Sequence, residues 1–490
     1  MRKAFDRQRR FDSQAVLDVR LNLNCRDEII PILKALQHIY SQPKLRDDIL
    51  RAIAEDVNRG SSRKRGRRGM DYWQILVLAA VRLGCNLDYD KLQDLAEQHR
   101  ALRHIMGIGD WGEEARFDWR RIQDNLTKIR PATIERISHL IVAEGHRLVP
   151  EAAETVRADS FVAETNIHYP TESTLIRDGL RKLLALGGDL ATRIGVAGWR
   201  QRKHLHKNAR RLARQIDRIA ARKGAGYQER LKAPYRQLLA LADRVITRAE
   251  GLRKRLRTRQ AADVDALALD GQLQVFLERT RHVCSTARRR VLQGEQVPNR
   301  DKLLSIFEPH TQLYKRGKAA TPVQFGRQVL VYEDGAGFVS HAYLMPRDAD
   351  DQDVVVEQTR NLQRRLNGRI RQASFDRGFH SPENQRQLAK IIAHPCLPMR
   401  GSHQAQQQDQ QATIEFRRAR QRHPGIESAI HALQSGNGLI RCRDRSEPGF
   451  SRYVQLAVLG RNLQVLGKIL IACEDAACKA AQSRRQTAAA

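Results

Sequence analysis

Apolar residues in the first 150 positions recur at helical spacing. Glu28 to Tyr40 and Asp47 to Val57 are amphipathic. Asp71 to Leu83 is a strongly apolar helix, Gly84 to Leu87 a turn whose glycine is placed to end it, and Asp88 to Gln98 a second helix capped by Asp88. Two helices joined by a short turn over 71–100 are the minimal helix-turn-helix pattern, which any packed helical hairpin shares. Pro131 to Leu148 places Ile134, Ile137, Ile141 and Leu148 on one face of a further helix.

At Glu154 to His168 the period falls to two. Val156, Ala158, Ser160 and Val162 share one face of a strand, and Arg157, Asp159 and Phe161 share the other. Helical spacing returns from Thr174 to about Arg300. Within it Leu205, Leu212, Ile216 and Ile219, then Leu238, Leu241, Val245, Leu252 and Leu256, flank a break at Gly224 to Gly226, the pattern of an antiparallel, narrow-seamed helical hairpin. Strands resume at Val323 to Asp334 and Gly337 to Met345 around a hairpin turn. They are followed by a helix over Asp348 to Leu366, a strand over Arg369 to Phe375, a helix over Ser381 to Ile392 and a short strand over His394 to Pro398. Helix is expected within Ile414 to Gln434 and again over Arg452 to Ile471, before a frayed, disordered tail.

Charge changes this picture. The chain has 490 residues, with 87 Lys and Arg against 55 Asp and Glu, a net charge of +32. Such an excess points to a polyanionic partner, nucleic acid first. It is concentrated in two places. The run Ser61 to Gly69 holds Arg63, Lys64, Arg65, Arg67 and Arg68, and Arg193 to Arg259 holds 21 basic residues against four acids, including Arg210, Arg211, Arg214, Arg218, Arg253, Lys254 and Arg255. Both are candidate DNA-backbone contacts. The seven cysteines form no CxxC pair, which argues against a disulfide framework or a structural zinc site. The longest apolar run, Tyr72 to Cys85, is too short to span a bilayer, so the expectation is a cytoplasmic, nucleoid-associated protein with no membrane contact.

The order of elements from 154 to 435, without the basic helices, is that of an RNase H-like α/β core: an antiparallel three-strand unit, then parallel strands with helices on the faces. The expected organisation is an all-α N-terminal DNA-binding domain (1–150), the core (151–175 and 305–450, a mixed sheet), a basic all-helical insertion (176–304) and a C-terminal helix with its tail (451–490). In such a core the strands bearing Asp159 and Asp376 lie side by side. Adjacent carboxylates repel unless a cation sits between them, and paired Mg2+ ions, which Mn2+ can replace, are how nucleases and polymerases perform in-line displacement at phosphorus. Glu427, opening a helix after Pro424-Gly425, is the candidate third acid, and Glu415 its substitute.

Asp159 in RADSFVAETNIHYPTES, Asp376 in SFDRGFHSPEN and Glu427 in HPGIESAIHALQSGNGL, together with EPHTQLYKRGK at 308–318 and PVQFGRQVLVYEDGAGFV at 322–339, resemble a DDE transposase of a bacterial insertion sequence, of the ISNCY type. The resemblance implies Mg2+-dependent cleavage at element ends and transfer of the freed 3′-hydroxyl into target double-stranded DNA, by a homodimer or larger assembly on DNA. It implies Asp159, Asp376 and Glu427 as catalytic metal ligands. Related transposases often carry a Lys seven residues after the Glu, whereas position 434 is Gln here; the nearest basic residues upstream are Arg420 and Arg422. A catalytically decayed DNA-binding protein and a structure-specific RNase H-like nuclease remain the alternatives.

Overall fold

The computed structural model describes residues 2–5, 11–60, 69–111, 117–222, 224–258, 263–315, 322–399 and 413–489, with side chains to 481. Its contacts divide the chain into two compact units, Met1–Asn166 with Arg327–Ala490, and Ile167–Gly326. The basic run at Arg63, Lys64, Arg65, Arg67 and Arg68 lies outside the described residues.

The first unit begins with helices α1 (Ile29–Ser41), α2 (Pro43–Val57), α3 (Tyr72–Gly84), α4 (Tyr89–Gln98), α5 (Arg100–Ile105), α6 (Trp119–Leu126) and α7 (Pro131–Leu148). Proline opens α2 and α7, where its missing N–H costs nothing, and Asp88 caps α4 by accepting from Lys91 N at 2.8 Å. The α3–α4 pair forms as the sequence predicts, but its turn is made differently. Asn86 takes the left-handed backbone with φ of 51°, while Gly84 stays helical and buried. The solvent face of α4 carries Asp90 and Asp94 beside Lys91, and Gln93 and Glu97 accept from the backbone N–H of Trp119 and Phe117. A recognition helix lying against phosphates does not fit that acidic face.

Strand β1 (Thr155–Thr165) leaves the first unit for the second. There α8 (Glu172–Arg193), α9 (Arg202–Ala221), α10 (Tyr227–Arg257) and α11 (Val264–Ala287) share one core, and β2 (Gln312–Lys315) pairs antiparallel with Val323–Gly326. The α9–α10 hairpin is therefore no isolated narrow-seamed arm: Leu239, Ile246 and Ala249 widen its apolar face, which packs with α8 and α11.

The first unit resumes within β3 (Val323–Asp334) and continues with β4 (Val339–Leu344), α12 (Asp351–Arg365), β5 (Gln372–Phe375), α13 (Pro382–Ala389), β6 (His394–Cys396), α14 (Ile414–Arg422), α15 (Ile426–His431), β7 (Arg441–Cys442) and α16 (Glu447–Ala489). The strand order is β4, β3, β1, β5, β6, with β7 beside the end of β1. β3 and β4 are antiparallel, whereas β5 runs parallel to both β1 and β6. This is a mixed sheet with helices on both faces. Val156, Ala158, Leu330 and Tyr332 pack with α12 and α13, and the alternate residues Phe161, Ala163, Val329 and Val331 pack with α15, α16 and the N-terminal helices. The N-terminal helices thus share a core with the sheet and with α16 instead of closing around their own.

The expected frayed tail is helical, since Ala-rich sequence extends α16 to Ala489. Its stretch Glu447–Ala481 is the one described helix long and apolar enough to cross a membrane by length and composition. Of the apolar window within it, 61% is buried against the protein, as in a core helix.

Candidate active site

Asp159 sits mid-strand on β1, pointing to the face where α15 packs. The parallel ladder between β1 and β5 pairs Thr155 with Gln372 and ends with Ala158 opposite Phe375. One step further along both strands come Asp159 and Asp376. The sequence thus brings two carboxylates side by side through register alone, because β5 ends where Asp376 turns to cap the short turn Arg377–Phe379. Each carboxylate accepts the backbone N–H of the following residue at 2.7 Å, Asp159 from Ser160 and Asp376 from Arg377.

Glu427 arrives from above. Helix α14 ends in a 3-10 turn, His423–Gly425, that runs directly into α15, and Ile426, Ala429 and Ile430 bury that helix on the sheet beside Phe161. The Glu427 side chain is left exposed at the first turn. Burial first, and then the charges of Asp376, Glu427 and Asp351, raise the Asp159 carboxyl to about 7 against the opposing bond from Ser160 N–H. The other two sequence-nominated acids therefore both act on Asp159. Glu415 does not join them: its carbonyl accepts from Gln372 at the opposite end of β5 from Asp376.

Three further residues belong to this neighbourhood and were not picked out from sequence. Asp351, at the start of α12, is held by Gln328 Nε2, which donates to its Oδ1 at 2.9 Å and to Ser160 Oγ at 2.7 Å, on the face of the sheet opposite Asp159. His423 shares a hydrogen bond with Ser374 Oγ at 3.1 Å; burial lowers its imidazole, Asp376 and Glu427 oppose that, and Arg157 reinforces it. Arg157 donates to Glu333 at 2.6 Å and to the carbonyl of Arg422 at 2.9 Å. The one sequence signal for Arg157 is its position two residues before Asp159, on the same strand face. Nothing local marks His423.

A second cluster competes for attention as a metal centre. Among the described residues, Glu135 and His139 on α7 and His341 on β4 bring one ligand atom each within 4.8 Å of one another, a spacing that Asp159, Asp376 and Glu427 do not meet. Arg365 stands in this cluster, with Nη1 3.4 Å from His341 Nδ1 and Nη2 donating to Ser340 O. Burial, with the Arg365 charge next, holds His139 at about 3 and His341 at about 4, and His341 Nε2 hydrogen-bonds Gln358 Oε1 at 2.9 Å. The Arg365 charge acts on all three of these groups and so opposes a second cation among them.

The nominated DNA-contact residues of the second unit divide. Arg210, Arg211, Arg214 and Arg218 are exposed on α9, and Lys254 and Arg255 at the end of α10. Arg253 is instead committed within the unit, to both oxygens of Asp270 at 2.6 and 3.1 Å and to Gln274 at 2.9 Å.

No protein-family model matches the chain, and neither a curated protein nor a solved structure does. Function is therefore read from these residues alone.

Proposed function

We propose that this chain is a DDE-type DNA transposase with an RNase H-like core, cutting DNA at the ends of an insertion sequence and joining the freed 3′-hydroxyl to target double-stranded DNA. The observation that carries the reading is the β1–β5 register, which sets Asp376 beside Asp159, with the helix bearing Glu427 on the same face of β1. The strand order and senses, an antiparallel β3–β4 pair followed by parallel β5 and β6 with helices between, support the same core.

The donor set suits Mg2+ or Mn2+: three carboxylates offer hard oxygen ligands, and the Asp159 carboxyl, raised first by burial and then by its acidic neighbours, is one whose ionised form a divalent cation would stabilise. Asp159, Asp376 and Glu427 would hold the metal, which when bound supplies charge to the attacking and leaving oxygens of phosphoryl transfer. The chain's own residues supply the rest. Lys203, Lys207, Arg210, Arg214 and Arg218 form one exposed line along α9, opposite the buried Ala209, Leu212, Ala213 and Ile216. The line covers roughly 22 Å at 1.5 Å per residue, long enough to follow a DNA backbone across several base pairs. Arg211 flanks it. Joining two element ends calls for at least a dimer on DNA, and such a protein works at the nucleoid.

The test is a Mg2+-dependent cleavage and strand-transfer assay on DNA carrying the sequences that flank the gene. Asp159→Ala, Asp376→Ala and Glu427→Ala each lose at least a thousandfold in both products while end binding persists, and Glu415→Ala stays within a few-fold of wild type. Cleavage without joined product would turn the reading towards a nuclease, and end binding without metal-dependent chemistry towards a decayed core.

A further inference from the structure

Arg157 makes three contacts that lead in different directions. Nε donates to Glu333 Oε2 on β3, Nη1 donates to the Arg422 carbonyl at the end of α14, and the guanidinium lies so close against Gly425 that a Cβ there would overlap it. Glu333 is buried, and the Arg461 charge on α16 also acts on it. The guanidinium is thus anchored from the sheet by a buried carboxylate, and its other edge grips the turn that delivers Glu427.

Besides Arg157, the turn has one directional tie to the sheet, the hydrogen bond between His423 and Ser374 Oγ at 3.1 Å. Helix α15 is six residues long, has no side-chain cap, and meets the sheet through Ile426, Ala429 and Ile430. Apolar packing sets its height above the sheet but is non-directional, so it does not stop a short helix from sliding along the strands. The guanidinium fork adds a directional restraint, with one N–H fixed on Glu333 of β3 and another on the Arg422 carbonyl of the turn. A lysine at 157 is a single point charge and cannot bridge Glu333 and the Arg422 carbonyl with the same geometry. Any side chain at 425 displaces the fork.

We infer that Arg157 is a positioning residue that locks Glu427 into register with Asp159 and Asp376, so that the three carboxylates together can hold divalent metal. The inference rests on the metal-dependent reading of the site given above.

Arg157→Ala alone leaves Glu333 buried without its partner and endangers the fold. The first variant is therefore the neutral pair Arg157→Met with Glu333→Gln. The second, Gly425→Ala, keeps both charges and moves only the guanidinium. Mn2+ binding to the DNA-free protein is measured by electron paramagnetic resonance, beside thermal melting, DNA binding by anisotropy in Ca2+, and the Mg2+ dependence of cleavage. The expected result is melting and DNA binding close to wild type, with Mn2+ affinity reduced at least tenfold and the half-saturating Mg2+ concentration raised by a similar factor in both variants. Adding Glu427→Gln to the neutral pair then costs little more Mn2+ affinity. Unchanged Mn2+ affinity and Mg2+ dependence in both variants, with an active wild type, overturn the role of Arg157. A wild type that neither binds Mn2+ nor cleaves overturns the metal-dependent reading itself, and this inference with it.

Discussion

Asp159 sits where a carboxylate is least at ease, in the body of a strand, largely buried, with three other acids acting on it. Its carboxyl is raised from 3.8 to about 7. The folded chain therefore holds a proton that the unfolded chain has already released, and the resulting destabilisation is absent below about pH 4, grows as pH rises towards 7 and is complete above it. In EDTA at pH 8, Asp159→Asn is expected to be more stable than wild type by on the order of 4 kcal/mol, the shift taken at 1.36 kcal/mol per unit. The advantage shrinks as the buffer is taken down to pH 5. Melting curves of the two proteins across that range check it, and an asparagine variant less stable than wild type at pH 8 would show that the site is not electrostatically strained. Asp159 was legible from sequence because a two-residue period has only two faces and the acid stands out on one. Arg157 stands on the same face and was equally visible. Its partners were not, since Glu333 and the Arg422 carbonyl meet it only once strand registers and the course of α14 are set.

At the scale of elements, the helices of the first unit approach one another through glycine. A Cβ built on Gly460 of α16 would come within 2.5 Å of Gly84 N on α3, and one on Gly467 would strike the Pro31 carbonyl of α1. Backbone against backbone has no side-chain end to give way, so Gly460→Ala and Gly467→Ala each force α16 outward. The expected cost is about 1–3 kcal/mol or somewhat more, read as a lower denaturant midpoint. Gly251→Ala on α10, where an added Cβ meets nothing within 4 Å, serves as the neutral or stabilising control. The helices themselves were legible, from caps, prolines and apolar spacing. Which apolar face meets which was not: the periodicity of α1, α3 and α7 says that each buries a face, but nothing in it names α16, more than 300 residues away, as the partner. The same gap hid the partnership of α9 and α10 with α8 and α11. It also hid the capture of Arg253 by Asp270, whose proximity depends on how α10 and α11 pack.

For the whole molecule, the proposed DNA contact has a thermodynamic signature. Each phosphate neutralised by a free cation adds about 0.9 to the slope of log affinity against log salt. Replacing Lys203, Lys207, Arg210, Arg214 and Arg218 together by Gln is expected to flatten that slope by roughly 4, whereas Arg253→Gln leaves it nearly unchanged and lowers the melting temperature. Equal effects on the slope would mean that the sorting of these cations by their ion pairs is wrong.

The route of the chain through the first unit also sets a schedule. Helices α1, α3 and α7 bury their apolar faces on α16, and β1 finds its parallel neighbour β5 only after the whole second unit has been made. On the ribosome the second unit, whose core is drawn from consecutive helices, can close first, while the apolar faces of α1, α3 and α7 wait for α16 to emerge. A chain that stops before α16 keeps Asp159, Asp376 and Glu427 but lacks the helix on which α1, α3 and α7 bury their apolar faces. A nonsense codon just ahead of α16 is therefore expected to give a product prone to proteolysis, although all three acids are encoded before it.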